Sequence, residues 1–69
     1  MQIRHIRLNG ERHDLDELKS VRALLDELGL DRERVAVEVN RRILKRAEFE
    51  NVTIDDGDEV EVVTFVGGG

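Results

Sequence analysis

The sequence predicts an α+β fold in which one main α-helix packs on a mixed sheet of four to five strands. Three observations carry that prediction. An Asn9-Gly10 pair closes a hairpin near the start, a single apolar helical stripe lies between Ser20 and Gly29, and two valine-rich strands occupy 35–39 and 58–66. With 69 residues the chain has room for one small domain and a limited core, and with no cysteine it has no disulfide to reinforce it.

Residues 2–8 read as the first strand, with Arg4, Ile6 and Leu8 on one face and Ile3, His5 and Arg7 on the other. Asn-Gly favours a type I′ turn, whose two central residues both need positive φ. With those two residues as the loop, Leu8 faces Glu11 and Ile6 faces His13, so His13 and Leu15 point to the core side. His13 reads as a half-buried edge histidine rather than a ligand, because no acid or second ligand accompanies it. His5, grouped with Arg7 and Arg12, reads as solvated.

Ser20 is the helix N-cap, Val21, Leu24, Leu25 and Leu28 form its buried stripe, and Gly29 terminates it. A charged loop at 31–34 leads to the third strand, whose valines share a face and which Asn40 ends. Residues 41–46 read as a turn and a short strand. Their cations, Arg41, Arg42, Lys45 and Arg46, are either a solvated face, a docking patch for an acidic partner, or a phosphate or RNA contact, the last disfavoured by the net charge of −5. Residues 47–51 read as a short turn anchored by Phe49. The Asp55-Asp56-Gly57-Asp58 cluster reads as a tight turn with Gly57 at positive φ, since it lacks the spaced ligands and distant Glu of a calcium loop. This order of elements, with the last strand central and parallel to the first, is the β-grasp (ubiquitin-like) arrangement.

The final strand alternates, so Val60, Val62, Thr64 and Val66 are expected to face the helix. Glu59, Glu61, Val63 and Phe65 then face away. Val63 and Phe65 break the polar pattern of an uncovered face and read as a partner-docking patch. Residues 1–66 form the domain and residues 67–69 a flexible tail. Three glycines reach roughly 10 Å when extended, and having no side chains they suit a narrow channel in another protein. Gly69, at the terminus, carries a carboxylate that is an anion near neutral pH and must be activated before a nucleophile can attack it. The bland alternative is a frayed end.

Composition narrows the function classes further. No Cys, Trp or Tyr and only two Phe leave no thiol nucleophile and no base-stacking platform, and the negative charge predicts partners with basic surfaces. Residues 1–4 lack the apolar core of a signal peptide, and no apolar run approaches a membrane span, so the cytoplasm is the expected compartment.

Ser20-Val21 with Leu24, Leu25 and Leu28, the Val35-Ala36-Val37-Glu38-Val39-Asn40 strand, Arg46 followed by Phe49, the Asp56-to-Val63 run and the Phe65-Val66-Gly67-Gly68-Gly69 end together resemble the bacterial thiamin-biosynthesis sulfur carriers, the ThiS family. Lys45, where proline is often found, and His13, in place of an apolar residue, depart from the pattern. The resemblance implies a protein cosubstrate with no catalytic residue, no metal site and no intrinsic cofactor. A ubiquitin-activating-enzyme-like adenylyltransferase using ATP and Mg would adenylate Gly69, with Gly67 and Gly68 threading its channel and Val63 and Phe65 docking. A sulfur donor such as a cysteine desulfurase would supply the thiocarboxylate sulfur, and thiazole synthase would accept it. The carrier would be a monomer when free, with no nucleic-acid or membrane partner. The alternatives are a small subunit of molybdopterin synthase, whose Phe-Pro-Pro approach is missing here, a carrier for another thiolation pathway, and an RNA-contacting module similar to the TGS domain.

Overall fold

The computed structural model describes residues 2–65, so Val66 and the glycines Gly67, Gly68 and Gly69 lie outside the described residues. The chain runs β1 (Arg4–Leu8), β2 (Glu11–Leu15), β3 (Lys19–Ser20), α1 (Val21–Glu27), β4 (Val35–Val39), β5 (Arg42–Ile43), β6 (Thr53–Ile54) and β7 (Glu59–Thr64). Two 3₁₀ turns, Arg32–Arg34 and Arg46–Glu48, fill the connections around β4 and β5. Five strands form one mixed sheet in the order β2-β1-β7-β4-β5, and β3 pairs with β6 in a separate two-stranded sheet. The β1–β7 pairing is parallel and every other pairing antiparallel. This is the β-grasp arrangement that the pattern predicts, with its last strand central.

Local chemistry accounts for each boundary. Asn9 and Gly10 have φ of 53° and 82°, the type I′ geometry, and they set the predicted register of Ile6 against His13 and Leu8 against Glu11. Ser20 Oγ accepts from the Ala23 N–H at 3.0 Å and caps α1. At the other end Gly29, φ 72°, permits a Schellman close: its N–H donates to the Asp26 carbonyl and that of Leu30 to Leu25. The first-turn N–H groups of Val21 and Arg22 donate to the carbonyls of Val52 and Phe49, so segment 46–54 satisfies donors that a helix leaves open.

The core sits between α1 and one face of the sheet. Val21, Leu24 and Leu25 of the helix meet Ile6, Val37, Val60 and Val62, and Phe49, Ile54 and Leu15 close the ends, all buried. Phe49 does anchor its turn, at 2% exposure. Thr64 departs from expectation. It has the strand parity of Val60 and Val62 yet is exposed. A seven-residue helix is about 10 Å long, whereas a six-residue strand spans about 20 Å, so the helix cannot cover both ends of β7. The first strand begins at Arg4 rather than residue 2, leaving Ile3 53% exposed. Among the described residues no helix is long and apolar enough to cross a membrane.

The link between β4 and β5 is a second two-residue hairpin, because Val39 faces Arg42 and both Asn40 (φ 51°) and Arg41 (φ 69°) are left-handed. Asparagine tolerates that region, but an arginine there costs about 1–2 kcal/mol. Glycine removes this cost while losing roughly 0.4–1 kcal/mol through the entropy of the unfolded chain. Arg41→Gly is therefore expected to stabilise the protein by about 0.5–1 kcal/mol, a rise of a few degrees in melting temperature. Arg41→Val is expected to lower it, and the reverse order in thermal melts would refute the strained-turn account.

Candidate functional site

The site is built on β7. Side chains alternate along a strand, and with α1 on one face only, the opposite face of the sheet stays open. Val37, Val60 and Val62 go inward. Ala36 pairs with Val63 and Glu38 with Glu61 on the outside. Val63 is 58% exposed and Phe65 55% exposed, so both docking candidates lie on the open side, as the alternation predicts. The Phe65 N–H donates to the Arg34 carbonyl at 2.8 Å, which carries the β4–β7 ladder one step past Thr64. Phe65, the last described residue, is thereby held in register. The predicted carboxylate bearer Gly69 and its neighbours Gly67 and Gly68 are beyond the described residues.

Two asparagines register β7, and sequence reasoning missed both roles. The Asn9 side chain accepts from the Val62 N–H at 2.8 Å and donates to the Val62 carbonyl at 3.2 Å, so it acts as one more rung of the parallel β1–β7 ladder. Asn40 does the same work from the other side. Its Oδ1 accepts from the Glu59 N–H at 2.9 Å, its Nδ2 donates to Asp58 Oδ1 at 3.0 Å, and its own N–H donates to the Glu59 carbonyl at 2.7 Å. Left-handed backbone at both positions aims these amides at β7. An Asn at the end of a strand was the available signal, but its partner lies about fifty residues away for Asn9 and about twenty for Asn40.

The acidic turn is held both within itself and from neighbouring elements. Asp58 accepts from the Asp55 N–H, Asp56 accepts from the His5 N–H, and Gly57 has φ 86°. No cluster of metal-ligating side chains occurs among the described residues. Two of the four cations in the basic run 41–46 are ion-paired: Arg42 with Glu48, and Arg46, whose Nη1 lies 2.8 Å from Glu33 Oε1. His13 is half-buried, as expected, with its Nε2 buried and unpartnered among the described residues. His5 is exposed but engaged, its Nδ1 lying 2.8 Å from Asp14 Oδ1, while Arg12 Nε donates to the same oxygen at 3.0 Å.

The profile of the ThiS family matches residues 6–69. The chain belongs to the ThiS family. Among solved structures, the thiamine biosynthesis protein (ThiS) of Geobacter metallireducens aligns with a TM-score of 0.80 at 38% identity, covering 94% of this chain and 99% of that one. The sulfur carrier protein ThiS of Thermus thermophilus is 39% identical over 62 residues, which is 90% of this chain and 95% of its own length. A thiazole synthase of Paramagnetospirillum magneticum is 44% identical over 62 residues, again 90% of this chain but only 19% of the synthase. The chain thus spans about a fifth of that relative, and nearly all of the Thermus one.

Three surface carboxylates sit below their ordinary range. Hydrogen bonds from His5 and then Arg12 lower Asp14, the Lys45 backbone N–H and then Arg42 lower Glu48, and Arg22 and then Arg32 lower Glu50. Each is a folded-state pKa depressed below the unfolded one, so its contribution is complete above the unfolded value and is lost as pH falls through the folded value. Thermal melts are expected to be flat from pH 7 to about 5 and to fall below about pH 4, the ordinary carboxylate range. Asp14→Asn is expected to shrink the difference between neutral and acid melts. An unchanged difference would remove Asp14 from the account.

Proposed function

We propose that this chain is a cytoplasmic sulfur carrier for assembly of the thiamin thiazole, a protein cosubstrate rather than an enzyme. The observation that carries the proposal is the match to a 62-residue segment of a thiazole synthase, because it places a segment like this chain within a thiazole synthase polypeptide. Membership of the ThiS family and the near full-length likeness to the Thermus sulfur carrier support it.

In this reading the Gly69 carboxylate attacks the α-phosphorus of ATP, with Mg, in a ubiquitin-activating-enzyme-like adenylyltransferase, and pyrophosphate leaves. The acyl-adenylate carbonyl is then open to a donor persulfide, such as that of a cysteine desulfurase, and AMP departs as the carbon–sulfur bond forms. A second thiol cleaves the S–S bond of the acyl persulfide, is itself oxidised to a disulfide with the donor, and leaves the thiocarboxylate. Thiazole synthase takes the sulfur. Every carbonyl step needs a dry channel and an aligned approach, for which the unbranched Gly67 and Gly68 are suited, while exposed Val63 and Phe65 dock the body.

Intact mass after incubation with a thiamin-pathway adenylyltransferase, ATP, magnesium and a sulfur source tests the chemistry. The full chain is expected to exchange one oxygen for sulfur. The chain lacking Gly68 and Gly69 is expected not to, while melting like the parent, because among the described residues the last buried side chain is that of Val62. No exchange with an enzyme active on another carrier would overturn the proposal. Phe65→Asp is expected to weaken adenylyltransferase binding by more than about tenfold with the melting temperature little changed, since Phe65 is half-exposed. A large loss of stability with normal binding would place Phe65 in the core instead.

A further inference from the structure

The open face carries a second feature beside Val63 and Phe65. Glu38 and Glu61 are direct cross-strand partners, so their side chains leave the sheet on the same side with Cβ atoms about 5 Å apart. Like charges in that position are destabilising. Neither carboxylate has a cationic partner among the described residues. The arginines of neighbouring strands are turned elsewhere: Arg7 donates to the Gly10 carbonyl, Arg12 to Asp14, and Arg42 to Glu48. Apolar side chains flank the pair on two sides. Val63 is one pleat further along β7, about 7 Å away, and Ile43, 72% exposed, faces Glu38 from β5.

We infer that Glu38 and Glu61 form a two-carboxylate seat for an arginine on the adenylating partner, with Val63 and Ile43 as its apolar walls. The inference rests on the reading of this chain as a carrier activated by an adenylyltransferase. An enzyme that binds the ATP phosphates and a C-terminal carboxylate together must surround them with cationic groups, so the mouth of its site presents positive charge. A planar guanidinium can donate to both carboxylates at once, which a point-like ammonium does less well. Seating it relieves the repulsion that the free chain carries. The pair is thus unfavourable in the free protein and favourable in the complex, and the apolar flanks keep water from the contact.

The test uses the full chain with Glu38→Gln, Glu61→Gln and the double variant. Glu17→Gln, in the exposed segment between β2 and β3, is the charge-matched control. Melting of the free chains and association with the adenylyltransferase at low and high salt are measured together. Glu61→Gln is expected to raise the melting temperature by roughly 1–5 °C and to slow association on the order of tenfold at low salt, with the gap closing at high salt. The control is expected to change association by less than about twofold. Normal association of both Gln variants alongside an impaired Phe65→Asp overturns the seat and leaves the carrier reading standing. Loss of stability in step with loss of binding marks a structural role and overturns it too. A parent chain that neither binds nor acquires sulfur overturns the carrier reading and the seat with it.

Discussion

The fold depends on registering one strand. β7 has no hairpin joining it to either neighbour, yet it is the centre of the sheet, parallel to β1 and antiparallel to β4. The backbone ladders to those neighbours are reinforced by side-chain amides at the ends of the strands beside it. Asn9 pairs with both backbone groups of Val62, and Asn40 bonds the N–H of Glu59 and reaches Asp58. A slip of one residue would turn Val60 and Val62 outward and bury Glu59 and Glu61, so these amides help decide which side chains the core receives. Both depend on left-handed backbone in a tight turn, where asparagine is tolerated and most residues are not.

The same register produces the proposed docking surface. Because α1 covers one face only, whatever faces away on β7 stays exposed, and its last outward residues are Val63 and Phe65. Glu61 and its partner Glu38 come just before them. The surface therefore changes from acidic to apolar as it approaches the terminus, along a single strand. In the proposed carrier reading, a partner acting on Gly69 meets both properties on one face, held in place by a strand that its neighbours fix from both sides.

Much of this was legible in the chain. The Asn9-Gly10 hairpin and its register, the Ser20 cap, the helical stripe, the Gly29 stop, the Gly57 turn and the outward direction of Val63 and Phe65 follow from local chemistry and period-2 or period-3.6 alternation. What was not legible involves partners far apart in sequence. The β3–β6 pairing joins Lys19 and Ser20 to Thr53 and Ile54, two-residue strands too short to show any period. The ion pair of Arg46 with Glu33 likewise joins residues that only the folded chain brings close. Thr64 was misplaced because alternation gives the side of a strand and not how far the helix extends over it.

The sequence by itself determined the element order, the turn chemistry and the inward and outward faces of the strands, because each is encoded over a few consecutive residues. Only the tertiary structure decided that two asparagine amides bond to β7, that Glu38 stands opposite Glu61, and that Arg46 pairs with Glu33. Those are contacts between strands and turns distant in the chain. Which atoms meet is set when the strands are laid side by side, and no local pattern carries that information.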